Sequence, residues 1–166
     1  FNSELDFLAI GMSLCSNASV DNGVYGDPTE VALVEFANKL NKHKSDLETQ
    51  YPRIDELPFD SVRKMMSTHN VINNVKTVFT KGAIDQILKN ATKICIDGLV
   101  RPITEDDKIK IMKASDVMAV EALRVLGLAY KQSNDLTEED LIFVGLVGMI
   151  DPARPEARSA VELFKR

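Results

Sequence analysis

Four short segments of this chain carry side chains suited to holding a flat, charged ligand. They are residues 26–30, 57–64, 79–83 and 123–129. They contain an acidic side chain at a helix start, an aromatic ring on a strand, a lysine beside a glycine, and cations at strand ends. An aromatic ring can stack on a purine face, and cations can bind a phosphate tail. Each segment is weak alone, so only their combination is informative.

The first segment starts a helix. Asp27 is a favourable N-cap, Pro28 suits the first helical position, and Glu30 has the spacing of a capping box. Glu30 can either cap the helix or point its carboxylate into a cleft, and the residues alone favour capping. We expect this helix to run from Pro28 to about Leu40.

The second segment places an aromatic ring and two cations in sequence. Phe59 lies at a strand position, and Arg63 and Lys64 follow it. An ordinary core position is the simpler interpretation of Phe59, and stacking on a purine is the functional alternative.

The third and fourth segments each place one cation at the end of a strand. Lys81 is followed by Gly82, which permits a ligand to approach the backbone just before a helix N-terminus. Arg124 lies at the mouth of an apolar strand, where it is either a binding cation or a solvated edge charge.

Catalytic templates are absent from the sequence. It contains no GxGxxG, GxxxxGK[ST], HExxH or GxSxG motif, and its two histidines lie beside no plausible nucleophile. We interpret His43 as a surface residue. Cys15 and Cys95 form no CxxC or Cys/His cluster, so they support neither a disulfide framework nor a zinc site. We therefore predict no catalytic residue and no metal ligand in this chain.

Composition narrows the class of protein further. The 166 residues suit about one domain, and 20 basic against 25 acidic side chains give a net charge of −5. That balance argues against nucleic acid as a partner. The most apolar window, residues 141–150, is far shorter than the ~20 residues that a membrane helix needs, so we expect no membrane insertion.

The elements that position these side chains can be read from hydrophobic spacing and turn residues. We predict helices near residues 3–15, 28–40, 83–89 and 104–122, and strands near 53–59, 64–71, 75–80, 93–96, 99–101, 124–131 and 141–150. Residues 38–44 are expected to form a solvated loop. Strands grouped with flanking helices predict an α+β fold, a single domain with a twisted, mainly antiparallel sheet.

With residues 143–156, the four segments resemble the nucleotide-binding (N) domain of P-type cation-transporting ATPases, most closely the calcium-pump branch. That family carries a GxxTE helix start, a Phe strand ending in Arg-Lys before Met-Ser, a Lys-Gly-Ala motif and a Leu-Arg strand. A Val-Gly-Met-x-Asp-Pro-x-Arg hinge follows. All five occur here in the family order, over residues 26–156. The resemblance implies a nucleotide-binding domain over residues 1–150 and a return segment over residues 151–166.

The resemblance implies an adenine pocket. Phe59 corresponds to the ring that stacks on adenine, and Glu30 to the carboxylate that accepts a hydrogen bond from the adenine amino group. Lys81, with its neighbour Gly82, corresponds to the lysine beside that pocket.

The resemblance also implies cations along the phosphate tail and a hinge. Lys64 and Arg124 correspond to the cations. Asp151 and Arg154 correspond to the hinge that leads back to the phosphorylation domain, and they are not adenine contacts.

Some positions depart from the family pattern. Some calcium pumps carry an arginine where this chain has Ser61, so the phosphate contact is expected to be weaker or to move to Arg63. Ile84 and Ala153 stand where relatives often have proline.

The phosphorylated Asp-Lys-Thr-Gly-Thr segment and the Thr-Gly-Asp and Gly-Asp-Gly magnesium motifs are absent. We therefore expect an excised piece of a longer pump that binds ATP or ADP without hydrolysing it, with Mg²⁺ held by the phosphorylation domain. The expected partners are the phosphorylation and actuator domains of the same chain. The fragment is expected to be a soluble monomer on the cytoplasmic side of a membrane. The alternatives are the N domain of a sodium/potassium or proton pump, and a non-catalytic interaction module.

Overall fold

One mixed sheet organises the structure. The computed structural model describes residues 3–21, 23–121, 123–150 and 162–163. The strands are β1 (Arg53–Asp60), β2 (Met65–Ile72), β3 (Val75–Gly82), β4 (Ala91–Ile96), β5 (Leu99–Pro102), β6 (Leu123–Gln132), β7 (Leu141–Ile150) and β8 (Glu162–Leu163). Their order across the sheet is β1-β2-β3-β6-β7-β4-β5, and β8 also pairs with β7. β4 and β7 are parallel, and the other pairs are antiparallel. The predicted α+β class with a mainly antiparallel sheet is confirmed.

Two tight turns set the register of the predicted hairpins. Asn73 and Asn74 both have positive φ between Ile72 and Val75, which pair with each other. This backbone matches the right-handed twist of the two strands. Asp97 and Gly98, also at positive φ, close the hairpin of β4 and β5 in the same way.

The helices begin where the sequence predicts caps. The helices are α1 (Glu4–Leu14), α2 (Pro28–Lys39), α3 (Lys44–Gln50), α4 (Ile84–Lys89) and α5 (Glu105–Val120). The Ser3 and Asp27 side chains accept hydrogen bonds from backbone amides in the first turns of α1 and α2. Thr104 and Asp107 form a reciprocal capping box at the start of α5.

The prediction of a solvated loop over residues 38–44 is wrong at its C-terminal end. Lys44 begins α3 and is buried, although the neighbouring His43 is exposed as predicted. The Lys44 ammonium donates to the backbone carbonyls of Ser16 and Ala18 at 2.7 and 2.6 Å. Burial lowers the pKa of Lys44. These acceptors lie far away in the sequence, which is why local polarity suggested a loop.

The two faces of the sheet carry separate cores. Helices α1 to α3 cover one face, where Leu8 and Leu33 pack in the cluster that contains Phe79 and Leu128 of the strands. Helices α4 and α5 cover the opposite face, where buried side chains cluster with Met65 of β2. The packing of α1 on the sheet requires a glycine at position 11, since a Cβ on Gly11 would lie 2.6 Å from Leu128 Cδ2.

The predicted hinge residues Asp151 and Arg154 lie outside the described residues, so the boundary after residue 150 stays a prediction. Within the described part of the chain, no helix combines the length and the hydropathy needed to cross a bilayer.

Asp107 provides a test of the α5 start. Its buried carboxylate accepts from the Arg101 guanidinium at 2.7 and 2.9 Å, and Arg101 holds the pKa of Asp107 well below its usual range. Because the folded pKa lies below the unfolded value, this stabilisation is present at neutral pH and is lost as pH falls below about 4. We expect Asp107→Asn to lower the free energy of unfolding by about 1–3 kcal/mol at pH 7, and by less at pH 3.

Denaturant titration at both pH values checks this expectation. Asp106→Asn, which changes an exposed neighbour that forms an ion pair with Lys110, is the control. An equal loss for Asp107→Asn at pH 7 and pH 3 would contradict the assigned cause.

Candidate functional site

Three of the predicted site residues, Phe59, Lys81 and Arg124, lie on one face of the sheet, the face that α1 to α3 cover. Lys81 on β3 pairs with Met66 of β2 and with Leu128 of β6, and both of these neighbours belong to the core under α1. Directly opposed residues in a sheet share a face. Lys81 therefore lies on this face, at the end of β3.

Phe59 lies on the same face near the edge of the sheet. A bulge in β1 places Pro58 and Phe59 together opposite Met66, because Leu57 pairs with Ser67 and Asp60 with Met65. Phe59 is thus two strands from Lys81, or about 10 Å at the usual strand spacing. Phe59 is 64% exposed, so its interpretation as a core residue is wrong.

A tight turn connects Phe59 to Lys64. The Asp60 carboxylate accepts from the amides of Val62 and Arg63 at 2.6 and 3.3 Å, and these bonds lower the pKa of Asp60. The turn closes with a hydrogen bond from the Lys64 amide to the Asp60 carbonyl, and Lys64 has a positive φ of 57°. The exposed Lys64 side chain makes no ion pair with any described residue.

Gly82 is required by this turn. A Cβ at Gly82 would lie 2.4 Å from the Lys64 carbonyl oxygen, which accepts a hydrogen bond from the Ala83 amide. The backbone that approaches Gly82 is therefore the chain's own. Because Gly82 has no side chain, the Lys64 carbonyl can pack against the end of β3, and this contact does not involve a ligand.

Lys81 and Glu30 form the central ion pair of the site. The Lys81 ammonium donates to Glu30 Oε2 at 2.5 Å, and the two side chains are 8% and 17% exposed. Glu30 Oε1 accepts from the backbone amide of Asn17 at 3.2 Å. Asp27 caps α2 through the Thr29 amide, whereas the Glu30 carboxylate contacts Asn17 and Lys81, so the capping interpretation of Glu30 is not the one observed.

Two cations that sequence reasoning missed hold the loop behind Glu30. Arg53 donates to the carbonyls of Leu14 and Ser16 and to the Asn17 side chain, all at 2.8 Å. Lys44 holds the same loop from α3. The sequence signal was weak, because each cation binds carbonyl oxygens that any residue type would supply.

Arg124 lies farther along the same face. Its position on β6 alternates with Leu126 and Leu128, which pack in the core under α1. It precedes Gly127, the partner of Gly82, by three residues, which is about 10 Å along the strand. Arg124 is exposed and makes no ion pair within the described ranges.

Arg63 does not share this face. Its guanidinium forms ion pairs with Asp60 and with Glu138, at 3.3 and 2.7 Å. Glu138 also accepts from Ser67, which alternates along β2 with Met66 and so lies on the opposite face. A phosphate contact by Arg63 in place of Ser61 would require these bonds to break.

Cys15 is unsuited to act as a nucleophile. Its thiol lies under the site, 3.4 Å from the Met66 carbonyl oxygen and 3.6 Å from that of Phe79. Burial raises the pKa of Cys15, although the Lys81 ammonium opposes the shift. The thiol therefore stays protonated at neutral pH.

Comparisons with known proteins show the family of this chain. Residues 5–156 match the family described as P-type ATPase, cytoplasmic domain N. The chain belongs to this family. It is 46% identical to calcium-transporting ATPase 1 of Bacillus cereus over 93% of this chain and 18% of that relative. It is 38% identical to calcium-transporting ATPase 1 of Lactococcus lactis, over 93% of this chain and 19% of that relative.

Relatives named for other ions also match. The sodium/potassium exporting P-type ATPase cta3 of Schizosaccharomyces pombe is 36% identical over 86% of this chain and 14% of its own length. The chain thus spans less than a fifth of the length of these relatives.

The Glu30 and Lys81 pair predicts an asymmetric response to mutation. Glu30→Gln leaves a nearly buried ammonium without its carboxylate, whereas Lys81→Met leaves a more exposed carboxylate that still accepts from Asn17. We expect Glu30→Gln to cost about 1–3 kcal/mol and Lys81→Met to cost less. The double variant should recover part of the loss, because it buries no unpaired charge.

Denaturant titration of the three variants checks this, with Glu105→Gln on the exposed part of α5 as the control. Strictly additive losses in the double variant would show that the two side chains are not coupled.

Proposed function

We propose that this domain binds ATP for a calcium-transporting P-type ATPase and presents the γ-phosphate to an aspartate on the phosphorylation domain. The observation that carries the proposal is the placement of Phe59, Lys81 and Arg124 on one sheet face, with Glu30 paired to Lys81 and Lys64 at the end of the turn after Phe59. Membership of the N-domain family supports the same function.

The adenine ring would stack on Phe59. Phe59 is exposed and so can contact a ligand, and base stacking on an aromatic side chain is worth about 1–3 kcal/mol. Its exocyclic amino group would donate to Glu30, whose carboxylate is held in place by Asn17. Lys81 donates to Oε2 of the same carboxylate.

The phosphate tail would extend from the ring toward the exposed cations. Lys64 follows Phe59 across the turn, and Arg124 lies beyond the end of β3 on the same face. Partly exposed cations add about 1 kcal/mol each. The sum gives binding in the weak, roughly millimolar range, since ~4 kcal/mol corresponds to about 1 mM.

The division of labour follows from what the sequence carries. No acceptor aspartate segment or magnesium motif is present, so hydrolysis in the whole pump requires its phosphorylation domain, which would also hold Mg²⁺. The contribution of this domain is positioning of the nucleotide across a hinge. The phosphorylation and actuator domains are its proposed partners, the cytoplasmic side of a membrane is its proposed location, and the isolated domain is proposed to be a monomer.

Calcium is the ion that the names of the most similar relatives favour. A sodium/potassium pump is the alternative, supported by the relative cta3. A non-catalytic interaction module, the other candidate from sequence, would leave Phe59 and the cations as plain surface, and nucleotide titration separates the two.

Nucleotide titration provides the main test. We expect ATP, ADP and AMP to bind with affinities within about tenfold of one another, because stacking supplies most of the free energy. Phe59→Ala should abolish measurable binding and leave stability almost unchanged, since the ring is exposed. Leu99→Ala, which removes an exposed apolar side chain on β5 at the far edge of the sheet, is the control.

Chemical-shift titration measures nucleotide binding by these variants, and thermal denaturation measures their stability. A folded Phe59→Ala domain that binds ATP normally would refute the adenine pocket, and an unfolded one would return Phe59 to a structural role.

A separate variant tests the proposed contact between Lys64 and the phosphate tail. Lys64→Asn removes the charge with a residue type that tolerates positive φ, so the turn is preserved. We expect ATP to bind more weakly, by several-fold, and AMP to be nearly unaffected. Equal weakening of ATP and AMP would instead show that Lys64 acts on the ring site.

The absence of an acceptor segment predicts chemical inactivity of this polypeptide. Incubated with radiolabelled ATP and Mg²⁺, it should form no acid-stable phosphoenzyme and release no phosphate above the blank. Label trapped on this chain would overturn the proposed division of labour.

A further inference from the structure

Arg63 connects the two backbone segments that flank the proposed binding turn. Its Nη2 donates to the carbonyl of Pro58, just before Phe59, at 3.0 Å, and to that of Met65, just after Lys64, at 3.2 Å. One guanidinium therefore bridges the start and the end of the turn. Arginine can make this bridge through Nη2 while its separate Nε donates elsewhere, and the single ammonium of lysine has no second nitrogen for that.

Glu138 fixes that guanidinium from a different part of the chain. It lies in the connection between β6 and β7, and its side chain is 10% exposed. Oε1 accepts from Arg63 Nε at 2.7 Å, and Oε2 accepts from the Ser67 hydroxyl at 2.5 Å. Ser67 is in turn hydrogen-bonded to Thr80 at 2.7 Å, so the carboxylate is anchored to β2 and β3.

We propose that Glu138, acting through Arg63, is a positioning residue for nucleotide binding, which sets where Phe59 and Lys64 sit relative to Lys81. The inference rests on the proposed function. Neither Arg63 nor Glu138 touches the nucleotide, because both groups lie on the opposite face of the sheet from Phe59. Without Glu138, Arg63 keeps its contacts with Asp60, Pro58 and Met65 but loses its link to the β6–β7 connection, and the bulge and turn of β1 are free to shift.

Binding by Glu138→Gln is the test, with Glu139→Gln, an exposed neighbour, as the matched control. Dissociation constants for ATP and AMP are measured well below the unfolding temperature of each variant, where every sample is fully folded. A purely structural role would lower that temperature and leave the constants unchanged. We expect Glu138→Gln to weaken both nucleotides at least about fivefold, because the ring itself is displaced, and Glu139→Gln to bind as the wild type does.

Arg63→Lys tests whether Glu138 acts through Arg63, and it remains informative if Glu138→Gln fails to fold. It keeps the charge but has no second nitrogen to donate to Glu138 while the first bridges Pro58 and Met65, so we expect a similar loss. The double variant should bind no more weakly than the weaker single variant, because both changes remove one linkage. Normal binding by either single variant, or losses that multiply in the double variant, would overturn the inference. A wild-type domain that binds no nucleotide would instead overturn the proposed function, and this inference with it.

Discussion

The ion pair between Glu30 and Lys81 is the interaction on which the candidate site depends. It joins the helical layer to the sheet, since Glu30 lies in the first turn of α2 and Lys81 near the end of β3. Two nearly buried charges are costly to desolvate, and they persist only when each is paired. Glu30 also accepts from the backbone amide of Asn17, and Arg53 and Lys44 hold the loop that contains Asn17. The carboxylate thereby keeps a fixed direction.

A steric constraint complements this electrostatic one. The Lys64 carbonyl packs where a side chain at Gly82 would be, so the turn that carries the exposed ring is seated on the strand that carries Lys81. The two halves of the proposed pocket are thus in register through backbone contact, without a flexible side chain between them. Arg63 and Glu138 constrain the same turn from the opposite face.

Local signals predicted most of the fold. The caps at Ser3, Asp27 and Thr104 and the paired Asn73 and Asn74 turn act within a few residues, so the sequence displays them directly. The candidate site could be predicted only from the order of several motifs along the chain, since each motif alone was ambiguous. Contacts over long sequence separations escaped prediction: the buried ammonium of Lys44, the parallel pairing of β4 with β7, and the Glu138 carboxylate. Their partners are backbone groups or distant strands, which leave no pattern near the residue itself.

The site combines a rigid part and an exposed part, and each suits a different portion of a nucleotide. Recognition of an amino group needs an acceptor with a fixed direction, which a buried and paired carboxylate provides. The proposed phosphate tail, which would have to reach another domain, needs the opposite, namely exposed cations such as Lys64 and Arg124 that would hold it weakly. Tight binding of the tail here would oppose its transfer, because only interactions that strengthen in the transition state accelerate a reaction. The exposure of these cations is therefore consistent with a domain that positions a nucleotide and leaves the chemistry to its neighbour.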